Sequence, residues 1–266
     1  MRDAEFQLTV LGSRGSMATG RRDCAVFGGD SSCYLVRAGE ETVFLDAGSG
    51  LAAAPAVYPK PPVILLSHLH LDHLIGLGMF PGLSAPGLKP RIYVPFCSSR
   101  KEAEEALDRL YAPPLWPLRL VDYGSDAELL PLPSTLRLGE LSIETAEGNH
   151  PGGCMAFRLE YRGKNLVYIT DYEMEESSFR RLTQFAGQTD LLLVDAQYDE
   201  AESRIKKGFG HSSAESGLRI MEECGAKRLL LIHHDPGSTD DVLLEREKKL
   251  PTPKASYARQ GQTIEL

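Results

Sequence analysis

Runs of apolar residues recur along the chain with the spacing of β-strands, and polar or turn-forming residues separate them. The residues before Gly12 alternate between polar and apolar in the manner of a strand. The predicted strands are Phe6 to Leu11, Cys33 to Val36, Thr42 to Leu45, Val63 to Leu66, Arg91 to Val94, Leu141 to Thr145, Met155 to Tyr161, Leu166 to Thr170, Leu191 to Val194, and Arg228 to Ile232.

Two segments carry helical signals. From Ser212 to Cys224, Ser212 and Glu215 have the spacing of a capping box, and Gly225 supplies the stop. The segment Ser99 to Tyr111 is the second predicted helix, and a pair of prolines ends it. Strands come first and then alternate with helices, twice over, which predicts two α/β halves stacked sheet to sheet with helices outside.

The expected architecture is therefore a four-layer αββα sandwich of two mixed sheets, formed by residues 1–266 as a single domain. No linker rich in Gly, Ser or Pro divides the chain. The proline-rich segment from Tyr111 to Pro133 is interpreted as a surface excursion.

Composition and charge argue against several classes of protein. The formal net charge is -8 and the basic pairs are dispersed, which argues against a grip on long nucleic acid through many phosphates. No window approaches the roughly 18 unbroken apolar residues of a membrane span, and no signal peptide is recognised, so no membrane partner is expected. The five cysteines are scattered without a CxxC pair, which favours free thiols and a cytoplasmic location.

The histidines carry the clearest chemical signal. His68, His70 and His73 lie in the segment SHLHLDH, directly after the strand that ends at Leu66. At an extended strand end His68 and His70 point the same way, and a turn brings Asp72 and His73 back beside them. Imidazoles and carboxylates packed this closely need a cation to offset their desolvation and repulsion. The motif therefore predicts two metal half-sites from six residues.

Five segments in this order resemble the successive motifs of the metallo-β-lactamase superfamily. They are Phe44 to Gly48 (FLDAG), His68 to His73 (HLHLDH), Asn149 to Gly153 (NHPGG), Thr170 to Tyr172 (TDY) and Leu230 to Asp235 (LLIHHD). Two further segments, Gly208 to Ala214 (GFGHSSA) and Val194 to Tyr198 (VDAQY), resemble the branch of ribonuclease Z and related bacterial phosphodiesterase-like hydrolases.

The resemblance implies a site for two divalent metal ions. The implied ligands are His68, His70 and His150 for the first ion, Asp72, His73 and His233 for the second, and Asp171 as the bridge. Nitrogen and oxygen ligation suits zinc, which we expect first, and also iron or manganese. The implied reaction is hydrolysis of a phosphodiester by a hydroxide that bridges the two metals.

Other residues receive roles around this site. His211 is expected to act as a general acid or a donor to a phosphate oxygen, near the start of the helix at Ser212. Asp195 either orients His211 or caps a loop, and Asp46 is expected to bond ligand histidines. We expect His234 to point away from the site, because it follows His233 in a strand.

Two points stay open in the sequence. The Gly-rich segment from Gly12 to Ser16, with Gly28 to Ser32, reads as a plain turn, whereas the resemblance would bring Ser31 and Ser32 near the metals. The same ligands also suit a non-hydrolytic diiron protein that binds or senses oxygen. Flavin-linked relatives of that kind usually carry Glu where this chain has His70, which favours hydrolysis.

The expected substrate is a small anionic one, a compact phosphodiester or cyclic nucleotide, and not tRNA. In ribonuclease Z a long basic arm that clasps tRNA lies between the motifs matched here by His150 and Asp171, and here only the segment Pro151 to Thr170 separates them. This segment reads as two strands joined by a tight turn at Arg162 to Asn165. A homodimer is compatible with the sequence, which does not decide the oligomeric state.

Overall fold

The computed structural model describes residues 5–266 and contains two seven-stranded β-sheets. The strands, in chain order, are β1 (Phe6–Gly12), β2 (Cys33–Ala38), β3 (Glu41–Leu45), β4 (Val63–Leu65), β5 (Arg91–Val94), β6 (Glu128–Pro131), β7 (Thr135–Leu138), β8 (Leu141–Gly148), β9 (Cys154–Tyr161), β10 (Lys164–Ile169), β11 (Leu191–Asp195), β12 (Leu229–Ile232), β13 (Ala255–Tyr257) and β14 (Thr263–Glu265). The first sheet has the order β14-β1-β2-β3-β4-β5-β6, and the second has β13-β12-β11-β10-β9-β8-β7.

Helices cover the outer faces of both sheets. They are α1 (Arg100–Asp108), α2 (Glu176–Phe185), α3 (Glu200–Ile205), α4 (Ala214–Cys224) and α5 (Asp240–Lys248). One apolar cluster joins the facing sides of the sheets, with Val36 and Leu65 from the first and Leu159 and Leu193 from the second. Two further clusters lie outside the sheets, under the helices. The four-layer αββα prediction is confirmed.

The sheet topology brings the candidate site residues to one edge of each sheet. Strands β3 to β6 run parallel to one another, and so do β10 to β13. Parallel strands release their carboxyl ends at one edge of a sheet, and ligands of α/β proteins bind beyond such ends. Asp46, His68, Asp171, Asp195 and His233 all lie at or directly after these strand ends.

A buried arginine ties the two halves together beside this edge. Arg14 follows β1 and is 0% exposed. Its Nε donates to the carbonyl oxygen of Gly28 at 2.8 Å, and one terminal nitrogen donates to the carbonyl oxygens of Asp235 at 3.1 Å and Ser238 at 2.7 Å. Since Asp235 follows β12, Arg14 fixes the segment after the first strand of one sheet against the end of a strand in the other.

The predicted strands all form, but several elements were missed. The interpretation of Tyr111 to Pro133 as a surface excursion is wrong in part, because β6 lies within it and pairs in parallel with β5. Leu129 of β6 is fully buried. Strands β7, β13 and β14 also escaped prediction, since three or four residues are too few to show a period.

The start of α4 differs by one residue from the prediction. Ser213, not Ser212, is the N-cap, and its side chain accepts a hydrogen bond from the backbone N–H of Ser216 at 3.4 Å. The hydroxyl of Ser212 instead donates to the carbonyl oxygen of Tyr172. Gly225 ends the helix in the left-handed conformation, as predicted.

Two expectations about the chain as a whole can be compared with the structure. All five cysteines lie within the described residues and are free thiols there. Within residues 5–266, no helix combines the length and the apolar character needed to cross a bilayer.

Candidate metal centre

Unusual backbone conformations turn the site residues inward at the strand ends. Asp46 after β3, Asp171 after β10 and His233 after β12 have φ angles of 61°, 41° and 61°. Non-glycine residues rarely adopt this left-handed region, and they persist there only where the surrounding structure holds them. The shared conformation directs three side chains from two different sheets into one buried space.

The seven expected metal ligands lie together in this space. Their donor atoms form two groups that share Asp171, and within each group all donor atoms lie within 4.8 Å of one another. The first group is His68, His70, His150 and Asp171, and the second is Asp72, His73, Asp171 and His233. This grouping has the same division and the same shared carboxylate as the ligand set that the resemblance implied.

Nitrogen atoms approach closely in the first group. Nε2 of His150 lies 3.1 Å from Nδ1 of His70, and Asp171 Oδ2 lies 3.6 Å from His68 Nε2 and 3.8 Å from His150 Nε2. His68, His150 and Asp171 are buried, whereas His70 is exposed. The first group therefore lies at the open side of the cluster.

The second group is more compact and fully enclosed. Nε2 of His73 and Nε2 of His233 are 3.2 Å apart, and each lies 3.2 Å from Asp171 Oδ1. Asp72 Oδ2 lies 3.2 Å from His73 Nε2 and 3.1 Å from His233 Nε2. The four donor atoms thus surround one point in the interior.

Hydrogen bonds behind the histidines fix which ring nitrogen faces the cluster. His73 Nδ1 donates to Asp46 Oδ2 at 2.7 Å, and Ser67 Oγ donates to the same oxygen at 2.8 Å, which leaves Ser67 Oγ to accept from His68 Nδ1 at 3.0 Å. His150 Nδ1 donates to the carbonyl oxygen of Gly210 at 2.9 Å. Nε2 of all three rings is therefore the nitrogen directed toward the cluster.

The buried carboxylates and imidazoles of the cluster shift one another's pKa values. Burial, helped by His73, lowers the pKa of His68 well below its ordinary value. Burial also acts to lower the pKa of His233, but Asp171 and Asp72 outweigh it and raise that pKa to about 9. Burial is likewise outweighed at His73, where Asp171 and Asp72 raise the pKa well above its ordinary value. The buried carboxylates thus stabilise positive charge in the cluster.

The donor set fits metal ions better than it fits protons alone. His68 Nε2 is buried and has no hydrogen-bond partner among residues 5–266, although buried polar atoms are nearly always paired. Nitrogen and oxygen donors from opposite sides converge on two points, which is the arrangement that divalent cations require. A metal ion would satisfy the lone pair of His68 and replace the protons of His73 and His233.

His211 and Asp195 form a pair next to the cluster. His211 Nδ1 donates to Asp195 Oδ2 at 2.8 Å, and the other carboxylate oxygen accepts from the backbone N–H of Gln197 at 2.9 Å. Asp195 therefore does both things that the sequence left as alternatives, since it orients the ring and caps a loop. Because α4 is capped by Ser213, His211 lies one residue further from the helix than expected.

His211 is also close enough to metal-ligating atoms to be considered with them. Its Nδ1 lies 3.8 Å from Asp171 Oδ2, and Asp171, Asp195, His211 and His233 form a third group of neighbouring donors. The hydrogen bond from Nδ1 to Asp195 occupies the nitrogen that faces this group. This hydrogen bond makes Nδ1 of His211 less available as a metal ligand.

Two other residues lie where the sequence left choices open. His234 is buried away from the cluster, and its Nε2 donates to the carbonyl oxygen of Ala258 at 2.8 Å. Burial lowers the pKa of His234 to about 3, so the ring is a neutral structural element. Ser31 donates to the backbone carbonyl oxygen of Asp72 at 2.8 Å, which brings the early Gly-rich segment beside the site.

Sequence reasoning missed two close neighbours of the cluster. The backbone N–H of Ser16 donates to Asp72 Oδ2 at 2.7 Å, and Tyr168 donates to Asp46 Oδ2 at 2.7 Å. A Cβ atom on Gly15 would lie 2.2 Å from His233 Nδ1, so only glycine permits this approach. The glycines of the GSRGS segment could have indicated the close approach of Ser16 to Asp72. No feature of the sequence distinguishes Tyr168 from the other residues of its buried strand.

Replacing Asp46 by Asn tests the hydrogen-bond support of the cluster. The amide can no longer accept from His73, Ser67 and Tyr168 together, so the His73 ring loses its fixed orientation. We expect the affinity for divalent metal to fall by about 10- to 100-fold, measured by chelator competition.

Asp30→Asn is the matched control, because the carboxylate of Asp30 accepts hydrogen bonds from Ser49 and Gln260, neither of which belongs to the cluster. Unchanged metal affinity in Asp46→Asn would show that Asp46 does not support the metal site.

Comparison with known proteins identifies the family. The profile described as "Beta-lactamase superfamily domain" matches residues 41–234, which is more than half of the chain. The ribonuclease Z of Thermoplasma acidophilum is 24% identical over 237 residues, covering 70% of this chain and 73% of that protein. The ribonuclease Z of Deinococcus radiodurans is 28% identical over 102 residues, and the match spans only 38% of this chain and 31% of that protein.

A solved structure shares the architecture. The metallo-β-lactamase fold protein YhfI from Bacillus subtilis superposes with a TM-score of 0.74 at 22% identity, covering 98% of this chain and 99% of that one. At this identity the similarity establishes the fold alone. The two groups of buried donors could hold metal ions. Because the family profile covers more than half of its residues, the chain belongs to the β-lactamase superfamily.

Proposed function

We propose that the protein hydrolyses a small phosphodiester, such as a cyclic nucleotide, at a site for two divalent metal ions. The observation that carries this proposal is the pair of donor groups that share the buried carboxylate of Asp171. Zinc is the proposed metal, and iron or manganese suits the same mixture of imidazole and carboxylate donors.

The proposed division of ligands follows the geometry. His68, His70 and His150 would hold one ion, and Asp72, His73 and His233 would hold the other, with Asp171 between them. When bound, two divalent cations would lower the pKa of a water molecule to about 7 and neutralise phosphate charge. Two such ions exceed the charge of Asp72 and Asp171, so the pocket favours an anionic substrate on a protein of net charge -8.

His211 is proposed to act on the substrate. With Nδ1–H donated to Asp195, the imidazolium form of His211 would carry a second proton on Nε2, which could pass to the leaving oxygen or form a hydrogen bond to a phosphate oxygen. Asp195 holds the ring from behind, and the ring of His233 stacks on the other side with centroids 4.9 Å apart. Both contacts restrict the ring to one orientation, which general acid catalysis requires.

A compact substrate is favoured over tRNA. Between His150 and Asp171 the chain forms only the antiparallel pair β9 and β10, joined by a short turn at Arg162 and Gly163. No segment there is long enough to form an arm that reaches a large RNA. A substrate whose charge is confined to one phosphodiester needs no row of basic side chains outside the site. The basic residues of this chain are scattered along the sequence and do not suggest such a row.

Replacing His211 by Ala separates catalysis from metal binding. We expect turnover to fall by about 100-fold or more while the metal content stays at the native value, because the ring is proposed to donate to substrate and not to a metal. Steady-state kinetics and metal analysis of the same preparation measure both quantities.

Lys207→Ala is the control for His211→Ala, since Lys207 is exposed and precedes the same loop. Loss of a metal ion in His211→Ala would show that His211 is itself a metal ligand. If His211→Ala instead kept the turnover of the native protein, His211 would have no part in the reaction.

The substrate class is tested with a panel given to the zinc-loaded protein. Bis-p-nitrophenyl phosphate and 2′,3′- and 3′,5′-cyclic nucleotides should be hydrolysed, and a precursor tRNA should keep its 3′ trailer. Product release is followed by absorbance, chromatography and gel electrophoresis. Efficient trailer removal with negligible hydrolysis of the small esters would overturn the proposal.

Inactivity on the whole panel would instead favour the diiron alternative. Purification under anaerobic conditions, followed by exposure to air, then gives a direct readout, because an oxygen-binding diiron protein develops a visible absorption band and a zinc hydrolase does not.

A further inference from the structure

Two phenylalanines are exposed, in contrast to the other seven. Phe96 is 54% exposed and Phe209 is 65% exposed, whereas the remaining phenylalanines are buried or half-buried. All nine lie within the described residues 5–266. Both exposed rings belong to segments that adjoin residues 150–153, the loop that begins with the candidate ligand His150.

Phe96 is held against this loop from one side. It follows β5, the parallel neighbour of β4, whose end carries His68. A Cβ atom on Gly153 would lie 2.6 Å from the ring of Phe96, so the ring rests on the backbone of that glycine. Gly153 in turn donates its N–H to the carbonyl oxygen of His150 at 2.9 Å.

The backbone of Phe96 matches that of the site residues. Its φ angle is 57°, close to the 61° of both Asp46 and His233. A bulky aromatic residue in the left-handed region is an outlier that must be held by its surroundings, and such outliers cluster at functional sites. More than half of the Phe96 side chain stays exposed, so burial offsets only part of the cost of that conformation.

Phe209 approaches the same loop from the segment that carries His211. Gly210 accepts a hydrogen bond from His150 Nδ1, and the N–H groups of Gly208 and Gly210 both donate to the carboxylate of Glu173 at 2.8 to 2.9 Å. Phe209 lies between these two anchored glycines. The loop is therefore fixed next to the open side of the cluster, where His70 is exposed.

We propose that Phe96 and Phe209 form a subsite for a planar aromatic group carried by the phosphodiester. This inference rests on the proposed function and names the substrate class more closely. The dinuclear site would hold the anionic phosphate, and the two exposed rings, which belong to segments that contact the loop of His150, would offer apolar faces to the organic part. Aromatic groups gain more from contact with aromatic faces than from burial alone, which favours a nucleobase or an aryl ester over an alkyl ester.

Binding of two unreactive diesters to the zinc-loaded protein tests the subsite without requiring turnover. Diphenyl phosphate and dimethyl phosphate carry the same charge and differ in aromatic surface. By isothermal titration we expect the wild type to prefer diphenyl phosphate. Phe96→Ala and Phe209→Ala should each weaken diphenyl phosphate by about 5- to 10-fold and leave dimethyl phosphate unchanged.

Control variants separate recognition from folding. Val57→Ala removes an apolar side chain that is more exposed than either phenylalanine, at 84%, from the segment that precedes β4, and it should not change the preference for diphenyl phosphate. Phe96→Trp keeps an aromatic face and should therefore retain the preference for diphenyl phosphate over dimethyl phosphate. Metal content and thermal midpoint of each variant report whether the fold and the cluster remain intact.

The outcomes distinguish this inference from the proposed function. An unchanged preference in the double variant Phe96→Ala/Phe209→Ala would overturn the subsite and indicate that the rings serve another contact, such as a protein partner. A lost preference in a protein that hydrolyses no phosphodiester would support the subsite and contradict the proposed reaction. Comparison of 2′,3′-cyclic AMP with bis-p-nitrophenyl phosphate in the variants tells whether the aromatic group is a nucleobase or an aryl ester.

Discussion

The burial of several carboxylates against several imidazoles at one edge of the sandwich is the constraint on which the structure depends. Asp46, Asp72, Asp171 and Asp195 are all buried there, with histidines between them. Charged groups are costly to desolvate unless opposite charge accompanies them. The carboxylates raise the pKa values of His73 and His233, and metal ions would supply the positive charge with better geometry for every donor.

The rest of the fold serves to bring these groups into one place. Parallel strands of both sheets end at the same edge, and a left-handed residue at the end of three of them turns a site side chain inward. Each such residue costs on the order of 1–3 kcal/mol, which the apolar cluster between the sheets offsets. Arg14 fixes the two edges against each other with three hydrogen bonds to carbonyl oxygens.

The sequence predicted those parts that are encoded locally. The HLHLDH motif carries four site residues within six positions, and long apolar runs mark the central strands. The missed strands are short, and their pairing depends on neighbours far away in the chain. In the same way, Ser16 meets Asp72 only through the folded chain, 56 positions apart. The two hydrogen bonds of Asp195 show why sequence left its role open, since one is local and the other depends on where His211 folds back.

The central claim is that the buried cluster holds two metal ions that share Asp171. The most direct measurement is metal analysis of the native protein and of Asp171→Ala after equilibration with the same zinc buffer. The account predicts two ions per chain in the native protein and the loss of at least one in Asp171→Ala, because both donor groups lose a member. One ion or none in the native protein, or two ions retained in Asp171→Ala, would contradict it.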